Sequence, residues 1–290
     1  MKENTSILPA KFNREKNEWN FIDNSGTNIK AESLTLVTYN TWFDDFHFDE
    51  RFRAITGILR ESNADIIALQ EITNASLEVF LQEDWVKTNY FISDISGSTL
   101  TSTYRPKQLN YGVILLSRFP IKSLNLHPLT SGQGRHVLIA EFDINSQKCL
   151  IGTTHLESVG HGLERPPEEI RRREELHPVQ LRECFSLLNI SDHSALMGDF
   201  NFSWEENSNI ASSYLDFWGT LRSSDPGYTA RFRHNAPARI DRILCRSADQ
   251  SWKPTKIDRI GMKPISSDSP DIFPSDHFGL IGVLERYINT

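Results

Sequence analysis

Only three of the 290 residues are cysteine, Cys149, Cys184 and Cys245, and none pairs with another in a CxxC spacing. An odd number so widely separated builds neither a disulfide framework nor a thiolate zinc site, so each is expected in or near the core. Long hydrophobic runs are also missing. No stretch approaches the ~20 residues that span a bilayer, and the segment from Met1 to Ala10 lacks the unbroken apolar core of a signal peptide. A membrane is therefore not expected as a partner, and an intracellular, soluble protein, cytoplasmic or nuclear, is. Positive charge is in deficit: the formal net charge is -7. That opposes a protein coated in nucleic acid, since phosphate contacts require clustered Lys and Arg. No repeat is visible. With 38% hydrophobic and 24% charged residues, the chain is neither disordered nor membrane-embedded in composition.

Local charge departs from the total. Between Tyr228 and Arg246 stand Arg231, Arg233, Arg239, Arg242 and Arg246 against one acid, Asp241. This is a candidate edge for tracking phosphates, with Arg231 and Arg233 as substrate-binding candidates; a solvated strand with alternate arginines is the competing account. Arg165, Arg171, Arg172, Arg173 and Arg182 are instead balanced by neighbouring glutamates and read as a solvated helical face.

The apolar runs read as alternating strands and helices. Leu34–Tyr39 alternates as a strand ending at Asn40, and Asp49 can cap a helix carrying Phe52, Ile55 and Leu59. Asp65–Leu69 is wholly apolar, as a strand covered on both faces should be, and ends in Gln70-Glu71. A second helix is expected near Ser76 to Trp85. Strands follow at 112–116, 137–142 and 150–154, the last two as antiparallel neighbours. After a flexible loop at 159–162, a helix through Leu188 kinks or begins at Pro178. Further strands are read at 194–199, 238–245 and 278–284, with a helix from Ser212 to Leu221 and a turn at Asn24–Thr27. The dense strands from 112 to 154 leave no room for the crossover helices of a doubly wound sheet. The fold class is therefore α/β, a two-layer β-sandwich flanked by α-helices with its site at one rim. Residues 1–33 are expected to form an N-terminal extension packing on or near the core, and 34–290 the main domain.

Five apolar runs end in, or are opened by, a polar group: Asn40, Glu71, His155, Asp199 with Asn201, and Asp276-His277. Glu71, an isolated acid behind a buried strand, suits Mg²⁺, which prefers oxygen ligands and keeps several waters. Asn40 and Asn201 can donate amide hydrogens to phosphate oxygens without adding negative charge. With Asp199, His155, Asp276 and His277 they make up a metal site, a base and oxygen donors, the parts of metal-assisted phosphodiester hydrolysis.

Thr38-Tyr-Asn40, Gln70-Glu71, Thr154-His155, Gly198-Asp-Phe-Asn201 and Ser275-Asp-His277 resemble, in order and spacing, the hallmark segments of the endonuclease/exonuclease/phosphatase superfamily. Within it, His155-Leu-Glu-Ser158, Asp216-Phe-Trp218, Tyr228-Thr229 and Asp241-Arg-Ile243 are most similar to the tyrosyl-DNA phosphodiesterase 2 family. The resemblance implies a DNase I-like four-layer α/β/β/α fold and hydrolysis of the 5′-phosphotyrosyl bond between DNA and a protein tyrosine, leaving a 5′ phosphate. It implies Asp199 as the base, positioned with Asn201, and Glu71 and Asp276 toward Mg²⁺, with Mn²⁺ as the alternative ion. Asn40, His155 and His277 would grip phosphate oxygens, Ser158 would add a substrate contact, and Asp241 would orient His277. The implied partner is a nucleic acid with a 5′-tyrosyl adduct, DNA or alternatively RNA, bound by a monomer. Tyr39, Phe278, Phe202-Ser-Trp204 and Ala230 depart from that family's pattern at DNA-facing positions. The alternatives are an abasic-site endonuclease, 3′ exonuclease or deadenylase of the same superfamily, a lipid phosphodiesterase, or a non-catalytic nucleic-acid binder.

Overall fold

The computed structural model describes residues 4–23, 27–160, 166–202, 204–233 and 236–287, without the side chains of residues 204, 231–233 and 236. Ten strands build the core: β1 (Ser33–Asn40), β2 (Ile66–Ile72), β3 (Leu109–Ser117), β4 (Ser123–Pro128), β5 (His136–Ile144), β6 (Gln147–His155), β7 (His193–Asp199), β8 (Asp241–Ser247), β9 (Trp252–Ile260) and β10 (Gly279–Arg286). The first sheet runs β9-β10-β1-β2-β3, and the second β4-β5-β6-β7-β8. Within each sheet one adjacent pair is parallel, β1 with β2 and β6 with β7, and the other pairings among these ten are antiparallel. A parallel pair requires a crossover. α1 (Phe48–Ser62) supplies it in the first sheet, and α4 (Pro167–Glu174) with α5 (His177–Leu188) in the second, after α2 (Asn74–Gln82) and α3 (Asp84–Asn89). Each parallel pair brings two strand ends together: Asn40 lies opposite Gln70, and His155 opposite Asp199.

Three apolar seams separate four layers, α/β/β/α. Leu36, Ala68, Leu115, Leu138, Ile151, Met197 and Ile243 pack between the sheets. Val37, Ile67 and Leu69 on the other face of the first sheet meet Phe52, Ile55, Leu59 and Phe80 of α1 and α2. Val137, Ile139, Leu196 and Leu244 meet Leu181, Phe185 and Leu188 of α5. Strands covered on both faces lose polar alternation, which is why Ile66–Leu69 and Ala195–Met197 read as continuous apolar runs.

Residues before β1 add strands to both sheets: Thr5–Ile7 pairs with β4, Ala10–Asn13 with Phe91–Ile92, and Asn28–Ile29 with β5. Several local expectations are corrected. The N-cap of α1 is His47, at φ +47°, and Asp49 sits in the first turn, where its charge is attracted to the helix dipole's positive end. α2 begins at Asn74, because Thr73 and Ser76 form a reciprocal capping box. The span 212–221 holds a short strand, Leu215–Asp216, and only then α6 (Phe217–Leu221), capped by Asp216. β9, a strand the sequence reading did not include, carries Pro254, which the ladder accommodates through a register shift between Pro254 and Lys256. Of the two readings at Pro178, a kink or a start, the start holds, with Pro178 in the first turn of α5. Residues 24–26, Arg165 and the 161–162 part of the loop after Ser158 lie outside the described residues. Among the described residues no helix is long and apolar enough to cross a membrane.

Candidate active site

At one rim of the sandwich the ends of both parallel pairs converge, and each delivers its side chain by a local irregularity. Glu71 is the extra residue of a β-bulge: Gln70 pairs with Val113 and Ile72 with Gly112, leaving Glu71 at φ +60°. A left-handed non-glycine residue costs about 1–2 kcal/mol. The bulge re-aims its carboxylate, as bulges beside active sites do. Oε2 of Glu71 accepts the Phe43 amide at 3.0 Å and Oε1 accepts Asn40 Nδ2 at 3.2 Å. Asp199 follows Gly198, whose φ of +146° leaves an imagined Cβ 1.9 Å from the Thr154 carbonyl. Only glycine lets β7 run this close to β6.

Asn40 is fully buried and joins the two sheets, its amide donating to Glu71 and, at 2.9 Å, to Asp199 Oδ2. Behind it, Gln70 Nε2 reaches Thr38 and Thr153 at 3.1 Å each, a polar clip between β1, β2 and β6. His155 Nε2 lies 3.4 Å from Asp199 Oδ2 and 4.0 Å from Glu71 Oε1. His277 Nε2 is 3.9 Å from that same Asp199 oxygen, while its Nδ1 meets Asp241 Oδ2 at 2.8 Å. The other Asp199 oxygen accepts the Asn201 amide at 2.9 Å. Asn201 Oδ1 is buried and accepts no hydrogen bond from the described residues.

Burial and crowding perturb these groups. Desolvation, followed by the charge of Asp276, pushes Glu71 up to about 7. Burial likewise raises Asp199, against the attraction of His277. For His277, burial works downward, yet the carboxylates of Asp241, Asp276 and Asp199 carry it well above its ordinary value of 6.5. Carboxylates that resist ionisation in a buried rim suit a divalent cation with its waters. Ligand atoms of Glu71, His155 and Asp199 lie within 4.8 Å of one another, and so do those of Asp199, Asp241 and His277.

Of the sequence candidates, Asn40, Glu71, His155, Asp199, Asn201, Asp241 and His277 thus share one rim. Asp276 is half-buried and lies near enough to raise both Glu71 and His277, while its Oδ1 accepts Ser275 Oγ at 3.4 Å. Ser158 is half-buried, its amide bound to Gln133 and its hydroxyl to the Gly160 amide. Arg231 and Arg233 lie on a strand, Ala230–Arg233, and their side chains are outside the described residues.

Four supporting residues escaped the sequence reading. Arg135 Nη1 contacts His155 Nδ1 at 3.0 Å. Ser275 Oγ donates to the Asn40 carbonyl at 2.7 Å and accepts the His277 amide. Thr229 Oγ1 receives the Ile240 and Asp241 amides. Arg51, buried under the loop, donates to the Thr41 and Trp42 carbonyls and stacks 4.4 Å from the Trp42 ring. Ser275 and Thr229 sit in segments already singled out, so their neighbours were a signal. Arg135 and Arg51 had none.

Comparison with known proteins bears on this geometry. Zebrafish (Danio rerio) tyrosyl-DNA phosphodiesterase 2 is 22% identical over 270 residues, covering 87% of this chain and 67% of that protein. The 5′-tyrosyl-DNA phosphodiesterase of Caenorhabditis briggsae is 27% identical over 196 residues, 66% of this chain and 50% of its own, so the chain spans about half of that relative. The crystal structure of D. rerio TDP2 complexed with single strand DNA product superposes with a TM-score of 0.68 at 21% identity, covering 88% of this chain and all of the other. Truncated C. elegans TDP2 gives 0.67 at 21% identity over 89% of this chain and 99% of its own. The family model described as Endonuclease/Exonuclease/phosphatase family matches residues 37–277, from β1 to the last histidine of the rim, and the chain belongs to that family.

Proposed function

We propose that the chain hydrolyses the 5′-phosphotyrosyl bond between DNA and a protein tyrosine, releasing a 5′ phosphate, with residues 34–290 as the catalytic region acting as a monomer. The observation that carries this reading is the convergence on one atom. Asp199 Oδ2 lies 2.9 Å from Asn40 Nδ2, 3.4 Å from His155 Nε2 and 3.9 Å from His277 Nε2, donors drawn from both sheets. Such a carboxylate can hold a water and take its proton, and the burial that raises its affinity for protons strengthens it as a base. Asn201 Oδ1, which accepts no hydrogen bond from the described residues, can hold the second hydrogen of that water. Asn40, His155 and His277 then face the phosphoryl oxygens as preorganised donors. His277 keeps its positive charge through Asp241, which also orients the ring.

The Glu71 carboxylate is the group that would hold Mg²⁺, or alternatively Mn²⁺, with Asp276 toward it. When bound, such an ion polarises the phosphate and neutralises charge developing on it. A phenol has a pKa of ~10, far below that of a sugar hydroxyl, so tyrosine leaves without strong acid assistance. The relatives named above, called tyrosyl-DNA phosphodiesterases, support this choice of leaving group over the abasic, exonucleolytic and deadenylating alternatives.

The test is end-group analysis of a 5′-phosphotyrosyl oligonucleotide incubated with the protein and Mg²⁺, beside abasic-duplex and poly(A) substrates. Free tyrosine and a 5′ phosphate are expected, and Asp199→Asn and Glu71→Gln should each slow turnover by at least ~100-fold. An intact tyrosyl end, with cleavage of either other substrate, removes the proposal.

A further inference from the structure

Arg135 is 2% exposed, yet among the described residues it forms no ion pair. Its contacts are neutral. Nη1 lies 3.0 Å from His155 Nδ1, Nη2 lies 3.2 Å from Gln133 Oε1, and the guanidinium faces the Tyr111 ring at 5.3 Å. A buried cation without a counter-ion is costly to fold around. Its placement directly behind a histidine of the rim is therefore informative.

A guanidinium carries five N–H donors and no acceptor, and it does not lose its proton in proteins. His155 Nδ1 must therefore be the acceptor of that contact and carry a lone pair, which leaves the ring proton on Nε2. We infer that Arg135 is a positioning residue that locks His155 into the Nε2–H tautomer, so that the ring presents a fixed donor to the phosphoryl oxygen and is barred from ligating the metal. This inference rests on the proposed phosphodiesterase mechanism for its catalytic consequence, but the tautomer itself is a property of the free protein.

Two further contacts support it. Nε2, the nitrogen that keeps its hydrogen, is the one directed at Asp199 Oδ2 and Glu71 Oε1, both acceptors. Gln133 Oε1, which receives Arg135, also receives the Ser158 amide at 2.7 Å, so the loop after β6 is held by the same cation. The cluster of Glu71, His155 and Asp199 then offers carboxylate oxygens alone, a donor set that suits Mg²⁺ or Mn²⁺ rather than a nitrogen-seeking ion.

The experiment is a long-range ¹H–¹⁵N correlation of the His155 ring in the ¹⁵N-labelled protein, with Arg135→Met, Arg135→Lys and His155→Gln variants. A methionine of similar volume in place of an unpaired buried cation should fold. In the parent, Nδ1 is expected to be bare and Nε2 protonated; Arg135→Lys should keep that pattern and Arg135→Met should lose it. On the 5′-phosphotyrosyl oligonucleotide, Arg135→Met should lower kcat by ~10–100-fold with little change in KM. In the His155→Gln background the same change should cost nothing further, whereas a merely structural arginine would give additive losses. A protonated Nδ1 in the parent, or additive losses, overturns the inference. If the tyrosyl substrate is not cleaved at all, the nitrogen measurement still decides the tautomer, and the failure belongs to the proposed function.

Discussion

Replacing Gly198 by alanine tests whether the β6–β7 approach holds the rim together. The added Cβ would stand 1.9 Å from the Thr154 carbonyl oxygen and 3.0 Å from its carbon, at a backbone φ of +146°. Both obstacles are main chain, so no side chain can swing aside. Overpacking of this kind costs about 1–3 kcal/mol, and a Cβ at positive φ roughly another 1–2 kcal/mol. At ~2.1 cal/mol/K per residue, 290 residues unfold with an entropy near 0.6 kcal/mol/K, so a loss of about 2–5 kcal/mol lowers Tm by ~3–8 °C. The relief that is available, parting the strands where His155 faces Asp199, also withdraws a donor from the proposed base, so kcat should fall along with stability. Differential scanning calorimetry with parallel kinetics is the assay. Gly57→Ala in α1 is the control: nothing lies within 4 Å of the added atom. A helix interior gains roughly 0.5–1 kcal/mol from that change, which should raise Tm. Should Gly198→Ala melt within about 1 °C of the parent, the close approach and the argument built on it are wrong.

Three further outcomes follow from the rim. Asn40→Asp keeps the shape but exchanges the donor between Glu71 and Asp199 for a third carboxylate, and kcat is expected to drop by at least ~100-fold while thermal unfolding shows a folded protein. Asp241→Asn removes a carboxylate that holds His277 well above 6.5. The raised histidine contributes stability fully below its unfolded value of 6.5 and loses it as pH rises through the folded one, so the variant should be destabilised most below about pH 6.5 and progressively less above it, and the alkaline limb of kcat/KM should move to lower pH. Glu71, raised to about 7, binds protons more tightly folded than unfolded, so its own contribution falls as pH climbs from 4.5 to about 7. A divalent ion bound to the ionised carboxylate reverses this. Mg²⁺ at 100 times its Kd should add about 2.7 kcal/mol, more at alkaline than at acidic pH, and Glu71→Gln should abolish the Tm shift.

The strands most readable from sequence were those covered on both faces, β2 and β7, whose continuous apolar runs have no competing explanation once they end in a polar pair. Where a rule of thumb failed, a local competitor had won. Thr73 and Ser76 closed a capping box earlier than the helical periodicity suggested. Pro254 stands in a strand the sequence reading did not include, where a register shift tolerates it. Asp49 was a good cap in isolation, but the chain enters α1 through a left-handed His47 instead.

The amino-acid order alone marked the candidates for chemistry, because an apolar run that gives way to Glu71 or Asp199 has no apolar reason to place an acid there. It also determined the layering, since two runs needing cover on both faces demand helices outside and a sheet between. What only the tertiary structure decided is which atoms face each other. The bulge that turns Glu71, the oxygen of Asp199 shared by Asn40, His155 and His277, and the Arg135 guanidinium behind His155 join residues up to 237 positions apart, Asn40 to His277. Hydrogen-bond direction and tautomer are set at distances of about 3 Å between such groups, and nothing in the spacing of a linear chain encodes a distance that short.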